Sequence, residues 1–405
     1  MKKQYDVVIV GGGASGLAAA ITIKRNCPSW DVAVFEKKEV FGKKLSATGN
    51  GRCNISNTGC ENAETVLDFF SSCGISVRTD ADGRIYPYSE DAKDVTRALI
   101  NSANGCGVEL NGQAAVNKVE AIPLTKDPKG GFHIFVEGRE EAVYAENLVL
   151  STGGKSYPSF GTTGDGYIMA RSLGHKVTKL IPSLTAIEVS DNIKSLKGLR
   201  IKAEAYLYLD SDMVFKERGE VQFREDAVSG ICIMNMSKMV KTLKGESPEG
   251  SFRHYRIRLN LIPDFSSAAV KGMIKERLSI PGFDEAGALN TIVKREMAEY
   301  IVRKEGIFFA ALDKKSVSFD EKAAFLADEL SDFRLSVKGL KGWDEAQLTS
   351  GGVPPEELDM NTMESLVVPG LFITGELVDY DGPCGGFNLH HAWLTGIKAG
   401  RALAR

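Results

Sequence analysis

The chain has 405 residues, with 50 Lys and Arg against 53 Asp and Glu, a formal net charge of -3 and 43% apolar residues. Such a balance gives no field for nucleic acid or an anionic membrane surface, no segment approaches the roughly twenty apolar residues that cross a bilayer, and the length suggests two or three domains of about 100 to 200 residues each. The seven scattered cysteines, Cys27, Cys53, Cys60, Cys73, Cys106, Cys232 and Cys384, form no CxxC pair and read as thiols of a reducing cytoplasm.

Met1-Lys2-Lys3 before an apolar run imitates a secretory signal, but Asp6 and the glycines interrupt the run and no small-residue cleavage site follows, so a cytoplasmic protein is expected. Tyr5 to Val10 runs into Gly11-Gly12-Gly13-Ala14-Ser15-Gly16 and then Leu17-Ala18-Ala19-Ala20-Ile21, and a second apolar run ends at Glu36. A strand, glycine turn, helix and second strand in this order bind a dinucleotide. Gly11 permits the tight turn, Gly13 lets the backbone approach a pyrophosphate, and Gly16 lets the helix pack on the strand. The N–H groups at the helix start, from Ala14 and Ser15 onward, then face the phosphates. Glu36 at the end of the second strand suits ribose hydroxyls rather than a 2'-phosphate.

From Phe41 the chain reads FGKKLSATGNGRCNISN, an ordered loop with neither strand alternation nor helical period, in which Lys43, Lys44 and Arg52 are charge partners for a pyrophosphate. A helix is expected over Asp94 to Asn104, and strands over Gly112 to Val119, Phe132 to Val136 and Ala145 to Leu150. The last strand exits into Ser151-Thr152-Gly153-Gly154, where a glycine pair again lets backbone pass close to a cofactor. Gly161 to Gly166 leads into a helix over Tyr167 to Leu173; at this second turn, helix capping by Thr163 or Asp165 and cofactor contact are both open.

Beyond Pro182 the period changes. Leu199 to Leu209 alternates apolar with polar residues, as does Arg253 to Leu261, each a strand with one buried face. Ser266 to Ser331 turns to Ala, Glu, Lys and Leu at helical spacing, notably over Ala288 to Lys304 and Glu321 to Leu330. A strand pattern resumes near Phe333, and Pro354-Pro355 marks a return of the chain. Leu371 to Glu376 is a strand meeting a turn, and the glycine pair after Asp379 opens a small-residue helix through Ala404.

Together GGGASG with Glu36, the GKKLSATGNGRCN loop, STGGKSYPSFGTTGDGY from Ser151 to Tyr167, and TGELVDYDGPCGGFNL at the end resemble the BaiN/YhiN-like family of bacterial FAD-dependent oxidoreductases over nearly the whole chain. The resemblance implies an α/β fold. Its glutathione-reductase-type, Rossmann-like FAD domain comes from 1–184 and 351–405, with an inserted β-barrel domain over 185–264 and 333–350 and an inserted helical domain over 265–332. Gly219 to Ser237 then resembles the family's strand, turn and short helix, with Ile231 where a proline is expected. The implied FAD-binding set is Gly11, Gly13, Ala14, Ser15, Gly16, Glu36, Lys37, Lys43, Lys44, Leu45, Ser46, Thr48, Gly49, Arg52, Cys53, Asn54, Ala115, Thr152, Gly153, Gly154, Gly375, Glu376, Asp379, Gly385, Gly386, Phe387, Asn388 and Leu389. Members of the family are linked to steroid-ring reduction in bile-acid metabolism and to amine oxidation of aminoacetone, so the resemblance implies flavin chemistry on a small-molecule substrate without choosing one.

With FAD, an isoalloxazine carries the hydride and the protein supplies orientation, charge and a dry pocket. The helix from Gly386 to Asn388 is suited to aim its positive end at the pyrimidine edge of the flavin. His390 and His391 are possible general acids. Consecutive helical residues point to different faces, so at most one faces a pocket, and the family more often has Gln followed by an apolar or aromatic residue there. The catalytic candidates are Tyr157 and His390; Tyr157, Arg52 and Glu376 can each lie near the ring or hold a loop. Five dispersed histidines offer no metal-ligand spacing, and Cys53 and Cys384 make a redox pair only if the fold brings them together. No second GxGxxG unit follows Leu150. NAD(P)H would therefore visit the flavin pocket as a transient donor, or electrons come from the substrate or a partner protein. Three activities stand open: reduction of an enone or steroid-type substrate, oxidation of a small amine with release of hydrogen peroxide, and a flavin redox sensor or scaffold. The inserted region is the part left to close the exposed ring face and set the substrate.

Overall fold

The computed structural model describes residues 2–123, 130–312 and 316–404; the positions 1, 124–129, 313–315 and 405 within the expected domain ranges lie outside the described residues. Two compact units are present, one of Met1–Ser183 with Trp343–Arg405 and one of Leu184–Gly342.

The first unit opens with β1 (Gln4–Val10), α1 (Ala14–Asn26) and β2 (Val32–Phe35). Val7 to Val10 and Val32 to Phe35 are buried without alternation, as strands covered on both faces must be, and β1 and β2 pair in parallel. Next come β3 (Ser56–Asn57), α2 (Ala63–Ser72), β4 (Val77–Thr79) and β5 (Arg84–Pro87), whose strands form a small antiparallel sheet. The chain continues through α3 (Ala92–Cys106), β6 (Glu109–Asn111), β7 (Val116–Ala121), β8 (Phe132–Val136), β9 (Val143–Leu150), α4 (Asp165–Ser172) and β10 (Ile181–Ser183). The main sheet runs β6-β2-β1-β9-β8-β7. The strand expected from Gly112 begins only at Val116. Gln113 has φ 53 and interrupts the extended run, and the N–H groups of Gln113 and Ala114 turn to the carbonyls of Lys38 and Glu36.

In the second unit β11 (Ile187–Val189), β12 (Arg200–Leu209), β13 (Asp212–Phe223) and β14 (Ala227–Ser229) precede α5 (Ile231–Ser237) and α6 (Pro248–Phe252). Then follow β15 (Tyr255–Asn260), α7 (Ser267–Leu278), α8 (Glu285–Leu289), α9 (Arg295–Ala311), α10 (Phe319–Ser331) and β16 (Phe333–Leu340). The strands close an antiparallel barrel in the order β11-β14-β13-β12-β15-β16, with Ala203, Ala205 and Leu207 of β12 buried as the alternation requires. At the turn where a proline was expected, Gly230 has φ 103 and a Cβ there would lie 2.1 Å from the Glu220 carbonyl oxygen, so the glycine makes the turn and α5 starts directly at Ile231. Barrel residues Phe223, Ile257 and Phe333 share one apolar core with Ile274, Ile301 and Leu326 from the helices. The helix expected over Ala288 to Lys304 is broken: Thr291 has φ 66, the Arg277 guanidinium holds the Asn290 carbonyl at 2.5 Å, and α9 starts afresh at Arg295. The β-branched run Thr291-Ile292-Val293 is a poor continuation of a helix.

Returning to the first unit, β17 (Leu348–Ser350) pairs with β10, β18 (Leu371–Ile373) pairs in parallel with β9, and α11 (Phe387–Leu403) lies against α1. A Cβ on Gly396 would meet the Ser15 carbonyl oxygen at 2.3 Å and one on Gly400 would meet the Thr22 Cβ at 2.6 Å, so this crossing is closer than any side chain would permit. Among the described residues no helix is long and apolar enough to cross a membrane.

Candidate functional site

The glycine turn after β1 separates into parts that must be tight and a part that stays open. A Cβ on Gly11, where φ is 106, would lie 2.5 Å from the Ser151 carbonyl oxygen, and one on Gly16 would lie 2.0 Å from the Gly11 carbonyl oxygen. Around a Cβ on Gly13 there is nothing within 4 Å. Gly13 is also the N-cap of α1 and no side chain caps it, so the first-turn N–H groups of Ala14, Ser15 and Gly16 are presented to that open space. Glu36 sits alongside. Its Oε2 accepts the Gly12 N–H and its Oε1 accepts the Lys38 N–H, both at 2.9 Å, which orients the carboxylate and leaves each oxygen a lone pair for a ribose hydroxyl. Ala115 is half-buried in the segment that Glu36 anchors through the Ala114 N–H.

The loop after Phe41 is held by bonds to Gly12 and Thr96 and by bonds within itself. Gly42 donates to the Gly12 carbonyl, Ser46 bonds the Thr96 hydroxyl at 3.0 Å, the Thr48 hydroxyl donates to the Leu45 carbonyl, and Gly49 and Asn50 are both left-handed. Cys53, also left-handed at φ 58, is fully buried, and burial pushes its thiol up to about 12. Cys53 and Cys384 are both free cysteines, and the Cys384 thiol lies 3.8 Å from Gln347 Oε1. The basic side chains divide. Lys44 is bound to Glu376 at 2.8 Å and Lys37 to Asp165, so each of those two charges has a partner within the protein. Arg52 lies over the Tyr86 ring at 4.8 Å, and Lys43 is exposed.

Glu376 centres a network that the sequence did not show. Its Oε1 accepts the Thr349 N–H at 2.8 Å and the Ser156 hydroxyl at 3.0 Å. Burial pushes the carboxyl up, but the Lys44 charge and these donors outweigh it and hold it below the ordinary glutamate range. Gly154 must lack a side chain here, because a Cβ would sit 2.5 Å from Glu376 Oε1. A Cβ on Gly166 would meet the Thr152 hydroxyl at 2.0 Å, and Gly153 is left-handed. The N-cap of α4 is Gly164 with no side-chain cap, so neither Thr163 nor Asp165 caps that helix; both are bonded to Lys37. Tyr157 is held at φ 54 by its N–H to the Trp343 carbonyl.

At the far end, Gly385 and Gly386 have φ of 116 and 105 and deliver the chain into α11. A Cβ on Gly386 would meet the Ser56 carbonyl oxygen at 2.4 Å and Asn54 Oδ1 at 2.9 Å. Asn388 closes the preceding turn by accepting the Gly382 N–H and donating to the Gly382 carbonyl, while Phe387 and Leu389 are half-buried. Asp379 accepts the Thr178 hydroxyl at 2.7 Å. Gly375 joins the two helices, since a Cβ there would lie 2.6 Å from the Ser15 hydroxyl and 3.9 Å from the Ala392 Cβ.

The two histidines have different fates. His390 is buried with Nδ1 2.8 Å from the Ser56 hydroxyl and Nε2 2.9 Å from the Glu61 carbonyl oxygen. Both nitrogens are spent on the chain, which corrects the expectation that this ring transfers a proton. His391 is stacked on Tyr380 with ring centroids 4.1 Å apart and planes at 11°, and its Nε2 is buried without a partner. Burial, helped by the Lys398 charge, pushes it down to about 4. Ser56, Glu61, Ser156, Thr349 and Tyr380 were not singled out from the sequence. Ser56 stood in the quoted loop, but nothing local pointed to a partner in α11.

A bare helix N-terminus over a cradle with no atom near Gly13, an acid poised for ribose, and a buried Asn54 Oδ1 lacking a hydrogen-bond partner fit a dinucleotide such as FAD. Comparison with known proteins agrees. The family model described as HI0933-like protein Rossmann domain matches residues 61–402, and an FAD binding domain model matches residues 6–70. The chain is 30% identical to a 3-dehydro-bile acid delta(4,6)-reductase of Clostridium scindens over 98% of both proteins. It is 24% identical to a ribosomal RNA dihydrouridine synthase of Escherichia coli, covering 97% of this chain and 96% of that one. Among solved structures, 3-ketosteroid delta1-dehydrogenase from Sterolibacterium denitrificans shares the fold over all of both chains with a TM-score of 0.53 at 12% identity. With a family match across most of its length, the chain belongs to the HI0933-like, or BaiN/YhiN-like, family of FAD-dependent oxidoreductases.

Proposed function

We propose that this protein reduces a carbon–carbon double bond conjugated to a carbonyl in a small organic substrate of the enone or steroid type, with NAD(P)H as the electron donor. The observation that carries this reading is the 30% identity to a delta(4,6)-reductase across 98% of both chains. The more distant dihydrouridine synthases are consistent with the same bond change, because saturating the uracil ring also reduces a double bond conjugated to a carbonyl. Bound FAD would supply a hydride to the β-carbon, and a proton must reach the α-carbon. The chain's part is to fix the cofactor and the charge around it. The α1 N-terminus would hold the pyrophosphate and Glu36 the ribose, and the uncapped N-terminus of α11 would offer its positive end to the flavin, where negative charge collects on reduction. Tyr157 is the candidate for proton delivery, now that both His390 nitrogens are committed. The second unit holds an antiparallel barrel and helices, and among its described residues there is no parallel nucleotide-binding sheet, so an NAD(P)H donor would visit the flavin pocket itself.

The test is anaerobic stopped-flow on the yellow holoprotein. Flavin bleached by NADH or NADPH should regain its colour on mixing with a steroid 4-en-3-one, with a saturated ketone as product. Re-oxidation only by ribosomal RNA would move the substrate to nucleic acid, a partner the dihydrouridine synthase relatives leave open. Bleaching by a small amine, followed by peroxide release in air, would replace the reductase reading with an oxidase.

A further inference from the structure

The imidazole of His390 joins two segments more than 300 residues apart in a way that defines its hydrogens. The Glu61 carbonyl can only accept, so Nε2, 2.9 Å away, must carry the proton. In a neutral ring Nδ1 is then an acceptor, and the Ser56 hydroxyl, fully buried and 2.8 Å away, donates to it. Two further contacts run in parallel. The Asn57 amide donates to the Gly385 carbonyl at 3.0 Å, and Gly386 abuts the Ser56 carbonyl so closely that no Cβ fits. All four act within the first turn of α11 or just before it, while Asn54 Oδ1 lies buried and unpartnered beside Gly386.

The geometry points to His390 as a positioning residue that, in its Nε2–H form, clasps the α11 N-terminus to the Ser56–Glu61 segment and so sets the affinity and reduction potential of the bound flavin. It rests on the reading that α11 faces the pyrimidine edge. Burial keeps the ring neutral, pushing its titration below the ordinary histidine range. The donor and acceptor are needed in fixed places, not a titrating group, and a Gln amide also offers one of each. A leucine would leave the Ser56 hydroxyl buried without its partner and release the Glu61 carbonyl, a cost that falls on the placement of the α11 amides.

The experiment is carried out on holoprotein without any organic substrate, so failure of the enone reading leaves it intact. FAD dissociation constants and midpoint potentials are measured for wild type, His390→Gln, His390→Leu and the milder Ser56→Ala, together with the imidazole nitrogen NMR spectrum of the wild type. Expected are an Nε2–H tautomer for His390, a potential that becomes more negative and about tenfold weaker FAD binding in His390→Leu, a smaller change of the same sign in Ser56→Ala, and near wild-type values in His390→Gln. If His390→Leu does not fold, Ser56→Ala against His390→Gln carries the comparison. A wild-type potential and affinity in Ser56→Ala and any folded His390→Leu, or a His390→Gln protein as impaired as the leucine variant, would overturn the proposal. An Nδ1–H tautomer would locate the failure in the clasp; a correct tautomer with unmoved potentials would locate it in the facing of α11 toward the flavin.

Discussion

Lys44 Nζ and Glu376 Oε2 meet at 2.8 Å across 332 positions of the chain, tying the cofactor loop of the N-terminal half to the strand end that precedes α11. The Ser156 hydroxyl bridges the same pair, 2.7 Å from the Lys44 ammonium and 3.0 Å from the carboxylate. A carboxylate this enclosed is stable only with its partners in place.

Removing the cation alone should therefore cost more than removing both charges. Lys44→Met is expected to destabilise the protein by about 2 to 3 kcal/mol, below the full range for a buried pair because the lysine is 22% exposed, and Lys44→Met/Glu376→Gln by less than the single change. Urea unfolding of the four proteins in a double-mutant cycle measures this, and additive losses would show that the pair is uncoupled.

The same pair gives a pH dependence of defined sign. The folded carboxyl titrates below its unfolded value of 4.5, so its contribution is complete above that value and is lost as pH falls through the lower folded one. Urea midpoints taken from about pH 7 to about pH 3 should fall more steeply for wild type than for Glu376→Gln; parallel curves would count against the assignment.

His391 acts on the acid side for the opposite reason. Its folded value near 4 lies below the unfolded 6.5, so between these limits the unfolded chain binds the extra proton and stability declines as pH drops. His391→Phe keeps a ring against Tyr380 and removes the proton site. At pH near 4.5 it should gain on the order of 2 kcal/mol relative to wild type, with little change at pH 8. Equal pH profiles in chemical denaturation would mean that the ring is solvated.

The glycine turn offers a separation of fold from cofactor. Gly13→Glu has room in the protein, since nothing lies within 4 Å of the new Cβ, and should give a folded but colourless protein because its carboxylate enters the pyrophosphate space. Gly16→Ala forces a Cβ to 2.0 Å from the Gly11 carbonyl and should lower thermal stability as well. Stoichiometric FAD in purified Gly13→Glu would refute the placement of the pyrophosphate.

Glu36→Ala should weaken FAD by about 1.5 to 3 kcal/mol, as expected for hydrogen bonds to a charged group, and also release the Gly12 and Lys38 N–H groups that the carboxylate holds. Equilibrium titration of apoprotein with FAD gives the number. An unchanged dissociation constant accompanied by lower stability would make the acid purely structural.

What the sequence alone determined is what short-range physics dictates. The glycine turn, Glu36 at the end of β2, the alternation in β12 and the glycine pair before α11 are legible because a close backbone approach, a strand face or a left-handed residue requires particular residues at particular local positions. Where one residue overrode a local pattern, at Gln113 and at Thr291, the cause was a left-handed φ held by contacts from elsewhere, the Lys38 and Glu36 carbonyls in one case and Arg277 in the other. Only the tertiary structure decided the partners. It paired Lys44 with Glu376, turned His390 from a candidate acid into a tether between Ser56 and Glu61, and seated Gly396 on Ser15. Each of these joins residues more than 300 positions apart, and at that separation the pairing is set by how the sheet and its two crossing helices bring the chain ends together, for which neither partner carries a signal of its own.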